Sequence, residues 1–167
     1  MRDIYVVGDA NVDIIVPYPR FLNEERTLVD YPNPELVGGG TSANTAVALA
    51  KLGLPVSFLG TIGDDQYGKY IQKDFKEQGV NTADLIVDPK LNTVGVFAFI
   101  DENGERYLWG WPRVDQAFKV LERDKVPFEK IEAADWVHSS GMSLVYDTSA
   151  RTEIIEIFKK AYEAGVP

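Results

Sequence analysis

The hydrophobic pattern changes period repeatedly along the chain. Ile4–Val7 is a short apolar run closed by Gly8-Asp9, which predicts a buried strand. Val12–Val16 reads as a second strand ending at Pro17 and Pro19, and a polar excursion rich in Asn, Pro and Glu follows to Pro34. Ala43–Leu52 has helix-forming composition and stops at Gly53 and Pro55. Val56–Thr61 is again strand-like. A second helix is predicted from Asp65 to Gln78, with Tyr67, Tyr70, Ile71 and Phe75 at helical spacing and Gly79 as the stop. Val94–Ile100 and Glu105–Trp111 flank Asp101-Glu102-Asn103-Gly104, a strong hairpin signal. Trp136–Ser139 is a further strand. Asp147 or Thr148 then caps a helix expected to carry Ile154, Ile155, Phe158, Ala161 and Tyr162 on one face and to end at Ala164-Gly165.

Strand and helix therefore alternate as in an α/β domain, a mainly parallel sheet covered by helices in a three-layer, Rossmann-like arrangement. Two β-rich insertions, at about 12–37 and 94–111, do not fit the alternation. The final Gly165-Val166-Pro167 is what ordinarily precedes another strand. The 167 residues fit one domain, without repeats or low-complexity segments.

Composition narrows the function. A formal net charge of -9 argues against nucleic acid and against anionic membrane surfaces, both of which call for a basic face. There is no cysteine, which excludes disulfides, thiolate nucleophiles and Cys-ligated metals, and the single His138 excludes a His-rich metal site within one chain. The N-terminal apolar run is too short for a signal peptide and no stretch is long enough to span a membrane, so a soluble, cytoplasmic domain is expected.

The most informative segment is Gly38-Gly39-Gly40-Thr41-Ser42-Ala43-Asn44. Consecutive glycines let backbone approach a ligand closely, the helix behind them offers amides at its positive end, and Thr41, Ser42 and Asn44 add polar groups. Such a set suits a neutral polyol or an anion; it also suits a hinge followed by ordinary helix capping. Gly38-x-Gly40-x-x-Ala43 resembles a dinucleotide fingerprint, a nucleotide-dependent oxidoreductase reading, but it does not follow the first strand. No P-loop is present. Asp9-Ala10-Asn11-Val12-Asp13 opens like a calcium loop, yet its sixth position is Ile14 and its twelfth Arg20. What survives is Asn11 and Asp13 on one strand face, able to meet ligand hydroxyls. Gly60-Thr61-Ile62-Gly63-Asp64-Asp65-x-x-Gly68 reads as a strand-to-helix turn capped by Asp64 or Asp65. His138-Ser139 lacks any nucleophile elbow and reads as structural. Trp109 and Trp111 share a strand face, and Arg113 can reach a ligand anion or form a structural ion pair.

Together these segments resemble the N-terminal half of the ribokinase-like (PfkB) carbohydrate kinase family. The resemblance rests on Val6-Val7-Gly8-Asp9-Ala10-Asn11-Val12-Asp13, on Gly39-Gly40-Thr41-Ser42-Ala43-Asn44-Thr45-Ala46 with Ala50-Lys51-Leu52-Gly53, and on the Gly60 to Gly68 turn; Asn92-Thr93-Val94-Gly95-Val96 and Gly104-Glu105-Arg106 continue it. It implies a ribokinase-like domain whose two β insertions form a small lid over an acceptor site. It implies that Asn11, Asp13 and Asn44 hold sugar hydroxyls, that Gly39 and Gly40 lay backbone against the sugar, and that Trp111 and Arg113 contact its variable parts. Gly141 stands where some relatives have an acidic sugar contact. The implied reaction is ATP-dependent phosphorylation of a sugar or nucleoside hydroxyl, assisted by Mg²⁺.

The family's later Asp-Thr-x-Gly-Ala-Gly-Asp segment, with its base and anion hole, has no match here. No catalytic or nucleotide-binding residue is therefore assigned, no tight cofactor binding is expected, and the chain alone is expected to be inactive. A non-catalytic sugar-binding or scaffold module is the alternative. Self-association, or a missing C-terminal half, is expected to cover the sheet edge.

Overall fold

The computed structural model describes residues 3–18, 33–110 and 114–167. β1 (Ile4–Val7) runs through Gly8-Asp9-Ala10 directly into β2 (Asn11–Pro17), and β3 (Glu35–Gly39) leads by Gly40 into α1 (Thr41–Lys51). β4 (Val56–Leu59) breaks at Gly60 and resumes as β5 (Thr61–Gly63), so the single strand expected there is two. α2 (Gln66–Glu77), β6 (Ile86–Asp88), β7 (Gly95–Ile100) and β8 (Arg106–Gly110) follow. Short 3₁₀ turns at Ala117–Lys119 and Arg123–Lys125 precede α3 (Phe128–Glu132), β9 (Trp136–Ser139), another 3₁₀ turn at Gly141–Leu144, and α4 (Ser149–Glu163).

The central sheet has the order β4-β1-β9, all parallel, with Ile4 opposite both Val56 and Trp136. Its pleat sends alternate residues to two cores. Tyr5, Val7, Leu59 and Val137 pack with Ile131 of α3 and with Ala150, Ile154, Ile157 and Ala161 of α4. Val6, Val56 and Phe58 pack with Ala43 and Ala46 of α1 and with Ile71 and Phe75 of α2. Helices therefore cover both faces, the three layers that the alternation predicts.

A second sheet has the order β3-β2-β7-β8; β2 and β7 are parallel, and the other two pairings are antiparallel. Its strands come from the two segments that break the alternation. The β7–β8 loop is closed by Asp101, whose Oδ1 accepts hydrogen bonds from the amides of Asn103 and Glu105, both at 2.9 Å. Tyr70 of α2 donates to the Leu36 carbonyl at 2.9 Å, tying this sheet to the helical layer.

Asp65 is the N-cap of α2: its Oδ1 accepts from the amides of Tyr67 (3.0 Å) and Gly68 (2.8 Å). Its Oδ2 accepts from the Thr93 amide at 2.8 Å, while Thr93 Oγ1 accepts from the Gly63 amide at 2.9 Å. The turn expected at Gly60 to Gly68 thus also places Thr93 and, two residues on, the start of β7.

One expectation on α4 is corrected. Thr148 caps the helix, but the buried face is Ala150, Glu153, Ile154, Ile157 and Ala161. Ile155 and Phe158 are each about 40% exposed and Tyr162 is 85% exposed, so they lie off the core. Glu153 takes a buried place because Arg123 Nη1 reaches its Oε2 at 3.2 Å.

Candidate functional site

The site is built where β1 ends. α1 has no capping side chain of its own, because its N-cap is Gly40. Gly40 adopts φ +102°, and a Cβ there would lie 2.7 Å from the Asp9 carbonyl and 2.9 Å from Asn11 Oδ1. Only glycine suits both the conformation and the space. The cap is Asp9. Its Oδ2 accepts from the Thr41 amide at 2.7 Å, its Oδ1 from the Ser42 amide at 3.2 Å, and its backbone carbonyl from the Ala43 amide at 3.1 Å. The first three amides of α1 are therefore taken by one residue, which corrects the expectation that they are free for a ligand.

Asp9 is also almost fully buried. Its Oδ1 accepts from the hydroxyls of Ser42 (2.8 Å), Ser140 (2.9 Å) and Ser143 (3.3 Å). Burial opposes ionisation, but the hydrogen bonds from the Ser42 hydroxyl and amide, the Thr41 amide and the Ser140 hydroxyl outweigh it. The carboxyl is held below the usual carboxylate range.

A cavity of about 380 Å³ opens beside this cap. Asp9, Asn11, Asp13, Gly40, Thr41 and Asn44 form its polar side, and Val94, Val96, Gln116, Phe118, Met142 and Tyr146 complete it. That size and mixture suit a small polar ligand held by a few directed groups. Phe118 and Tyr146 meet edge to face at 6.2 Å between ring centres, and Lys119 Nζ sits 4.1 Å from the centre of the Tyr146 ring. Asn11 Nδ2 donates to Asp13 Oδ1 at 3.1 Å. Burial pushes the Asp13 carboxyl above its usual range, against the opposing pull of the Arg106 charge and the Asn11 hydrogen bond.

Of the residues expected from sequence, Asn11, Asp13, Gly40 and Asn44 converge on this cavity. Gly39 does not line it. Gly39 is buried behind it, where a Cβ would lie 2.8 Å from both Asn11 Nδ2 and Asp13 Oδ2, and it lines a neighbouring cavity of about 260 Å³. Its lack of a side chain makes room for the two polar side chains rather than presenting backbone to the main cavity. Trp111 and Arg113 lie outside the described residues. Trp109 stacks on Phe97 with ring centres 5.8 Å apart and stays largely exposed. His138 lies on β9 and does not line this cavity; it lines a separate groove together with Ile4, Leu49 and Leu54. Gly38 lies within β3, paired antiparallel to Val12 in the second sheet, and does not follow a strand of the parallel sheet as a dinucleotide fingerprint requires.

Sequence reasoning missed Asp9, Gln116, Phe118, Met142 and Tyr146. Asp9 carried a signal, as an acid at the carboxyl end of the first buried strand, where open α/β sheets place their ligands. The others come from irregular segments without periodicity.

The pfkB family carbohydrate kinase pattern matches residues 1–166. The chain belongs to this family. Across 167 residues it is 35% identical to a fructokinase of Vibrio alginolyticus, a match covering 99% of this chain and 48% of that protein. The crystal structure of a fructokinase from Xylella fastidiosa superposes with a TM-score of 0.83 at 25% identity, covering 99% of this chain and 50% of that one. A structure of fructokinase with bound ATP from the same organism gives a TM-score of 0.81 at 24% identity, covering 98% and 46%. This pfkB chain thus spans about half the length of the relatives it matches, and its fold is ribokinase-like. Among the described residues no helix is long and apolar enough to cross a membrane. Nor does any group of three or more His, Cys, Asp or Glu side chains among them come together in a way that could hold a metal ion.

Proposed function

We propose that these 167 residues form the acceptor-binding part of an ATP-dependent sugar kinase, and that the acceptor is a neutral polyol. The cavity carries the proposal. Asn11, Asp13 and Asn44 offer directed donors and acceptors around Gly40 at the head of α1. A carboxylate that accepts hydroxyl protons, beside an amide that both donates and accepts, is the chemistry a sugar diol calls for. The neutral reading follows from charge. The described lining holds two carboxylates and no cation, and the α1 amides that would meet an anion are occupied by Asp9.

Phosphoryl transfer also needs a base, a nucleotide site and groups that stabilise the transferring phosphoryl. On this reading polypeptide outside these residues supplies them, together with the ATP and Mg²⁺ contacts. The fructokinase likeness favours a ketohexose, whereas the Phe118–Tyr146 pair would also suit the ring of a nucleoside.

Titration of the chain with D-fructose, D-ribose, adenosine and D-gluconate, followed by ligand-observed NMR, tests this. Binding of at least one neutral polyol is expected, weakened about tenfold by Asn44→Ala, with no preference for gluconate. Selective binding of gluconate, or indifference of fructose, ribose and adenosine binding to the Asn44 substitution, would overturn it. With ATP and Mg²⁺ present, ADP release is expected to stay at background; turnover by the chain alone would refute the division of labour.

A further inference from the structure

Asp9 joins two walls of the cavity that are far apart in sequence. One wall is the head of α1, with Gly40, Thr41 and Asn44; the other is the segment after β9, which contributes Met142 and Tyr146. Ser140 and Ser143 belong to that second segment, and their hydroxyls converge on the same Oδ1 that holds the Ser42 amide and hydroxyl. Ser42 Oγ and Ser140 Oγ are also in contact, 3.0 Å apart. Room for the cluster is made by Gly8, since any Cβ there would collide with the hydroxyls of both Ser42 and Ser143. Ser42, Ser140 and Ser143 are all buried, and none of them lines the cavity.

We infer that Asp9 is a positioning residue for acceptor binding: its buried carboxylate clamps the 140–146 segment to the head of α1 and so sets the spacing between the two walls. Helix capping alone would need only Oδ2 on Thr41 and Oδ1 on Ser42; the two serines from 131 and 134 residues away add nothing to a cap. They do link Met142 and Tyr146 to Asn44 through one charged acceptor. Buried hydrogen bonds to a charge are stronger than neutral ones, so the clamp resists separation of the walls. The link to binding rests on the acceptor-site reading above; the clamp itself does not.

The experiment compares amide NMR spectra of the wild-type chain with those of a Ser140→Ala/Ser143→Ala variant, which leaves the Asp9 cap intact. If Asp9 clamps both walls, the Thr41, Ser42 and Asn44 resonances shift, although α1 itself is unaltered, and hydrogen exchange speeds up at residues 140–146. If those resonances hold still, Asp9 is only a cap and the inference falls. Should the double variant not fold, Ser143→Ala, which removes the longest of the three contacts, is read by the same criterion. D-fructose titration of the same samples separates the two proposals. A clamp that acts on binding gives about tenfold weaker affinity in the double variant and in Asp9→Asn. Shifted resonances with unchanged affinity would refute the role in binding, and shifted resonances in a wild-type chain that binds no sugar would refute the acceptor-site reading while leaving the clamp standing.

Discussion

Two aspartates four residues apart are pushed in opposite directions, and the contrast separates binding from folding. Asp9 has donors on both oxygens, and its carboxyl is held below the usual range; Asp13 accepts one hydrogen bond among the described residues, from Asn11, and burial pushes it above that range. A carboxyl lowered in the folded state adds stability above its unfolded value, near 3.9, and that stability is lost as the pH falls through the folded value. A raised one does the reverse: its cost to the fold is present above the folded pKa and disappears on acidification. Acidification should therefore weaken sugar binding first, as Asp13 takes up its proton, and unfold the chain only at lower pH. Asp13→Asn is expected to raise the Tm at pH 7 while lowering sugar affinity about tenfold. Calorimetric scans paired with ligand titrations across the acid range check both signs, and a fall in Tm at pH 7 would show that Asp13 serves the fold rather than the ligand.

At the scale of elements, α4 shows what a sequence reveals and what it hides. Its limits and its Thr148 cap follow from local chemistry, since a threonine before an apolar-periodic run and a glycine after it act through neighbouring backbone. Its buried face does not, because the apolar residues of α4 extend beyond those that meet the core, leaving Ile155, Phe158 and Tyr162 exposed. Helical spacing puts Phe158 and Tyr162 on one face with Ile154 and Ala161, whereas the buried positions beside Ile154 and Ala161 are Ile157 and the Arg123-paired Glu153. Ile157→Ala should cost about 2–5 kcal/mol and Phe158→Ser no more than ~1 kcal/mol, a contrast that urea unfolding resolves. Equal losses would return Phe158 to the core. The same limit governs the site. Asn11 and Asp13 were legible because strand alternation is local, and Asn44 because it stands one helical turn behind the glycines. The reach of Asp9 to Ser140 spans 131 residues and exists only once β1 and β9 are paired side by side.

For the molecule as a whole, the decisive feature is the outer edge of β9. In the order β4-β1-β9 this strand has a partner on one side, and on the other the Val137 amide donates to the Pro167 carbonyl at 2.9 Å. Pro167 thus lies where a neighbouring parallel strand would pair. Trp136 on β9 is half exposed, and next to it an apolar groove of about 460 Å³ is lined by Ile4, Leu49 and Leu54. Ser139 Oγ, at the end of the same strand, is buried without a hydrogen-bond partner among the described residues. A strand paired with another strand on one side only, a half-exposed tryptophan and a buried hydroxyl without a partner among the described residues invite a covering neighbour, either a second copy or further polypeptide. The isolated chain should therefore self-associate, its light-scattering mass rising with concentration. Trp136→Lys, which puts a charge on the exposed edge, should shift that rise to higher concentration without lowering Tm by more than a few degrees. A wild-type chain that stays monomeric throughout a concentration series would show that the edge is satisfied as it stands, and would remove the physical reason for expecting a neighbour along β9.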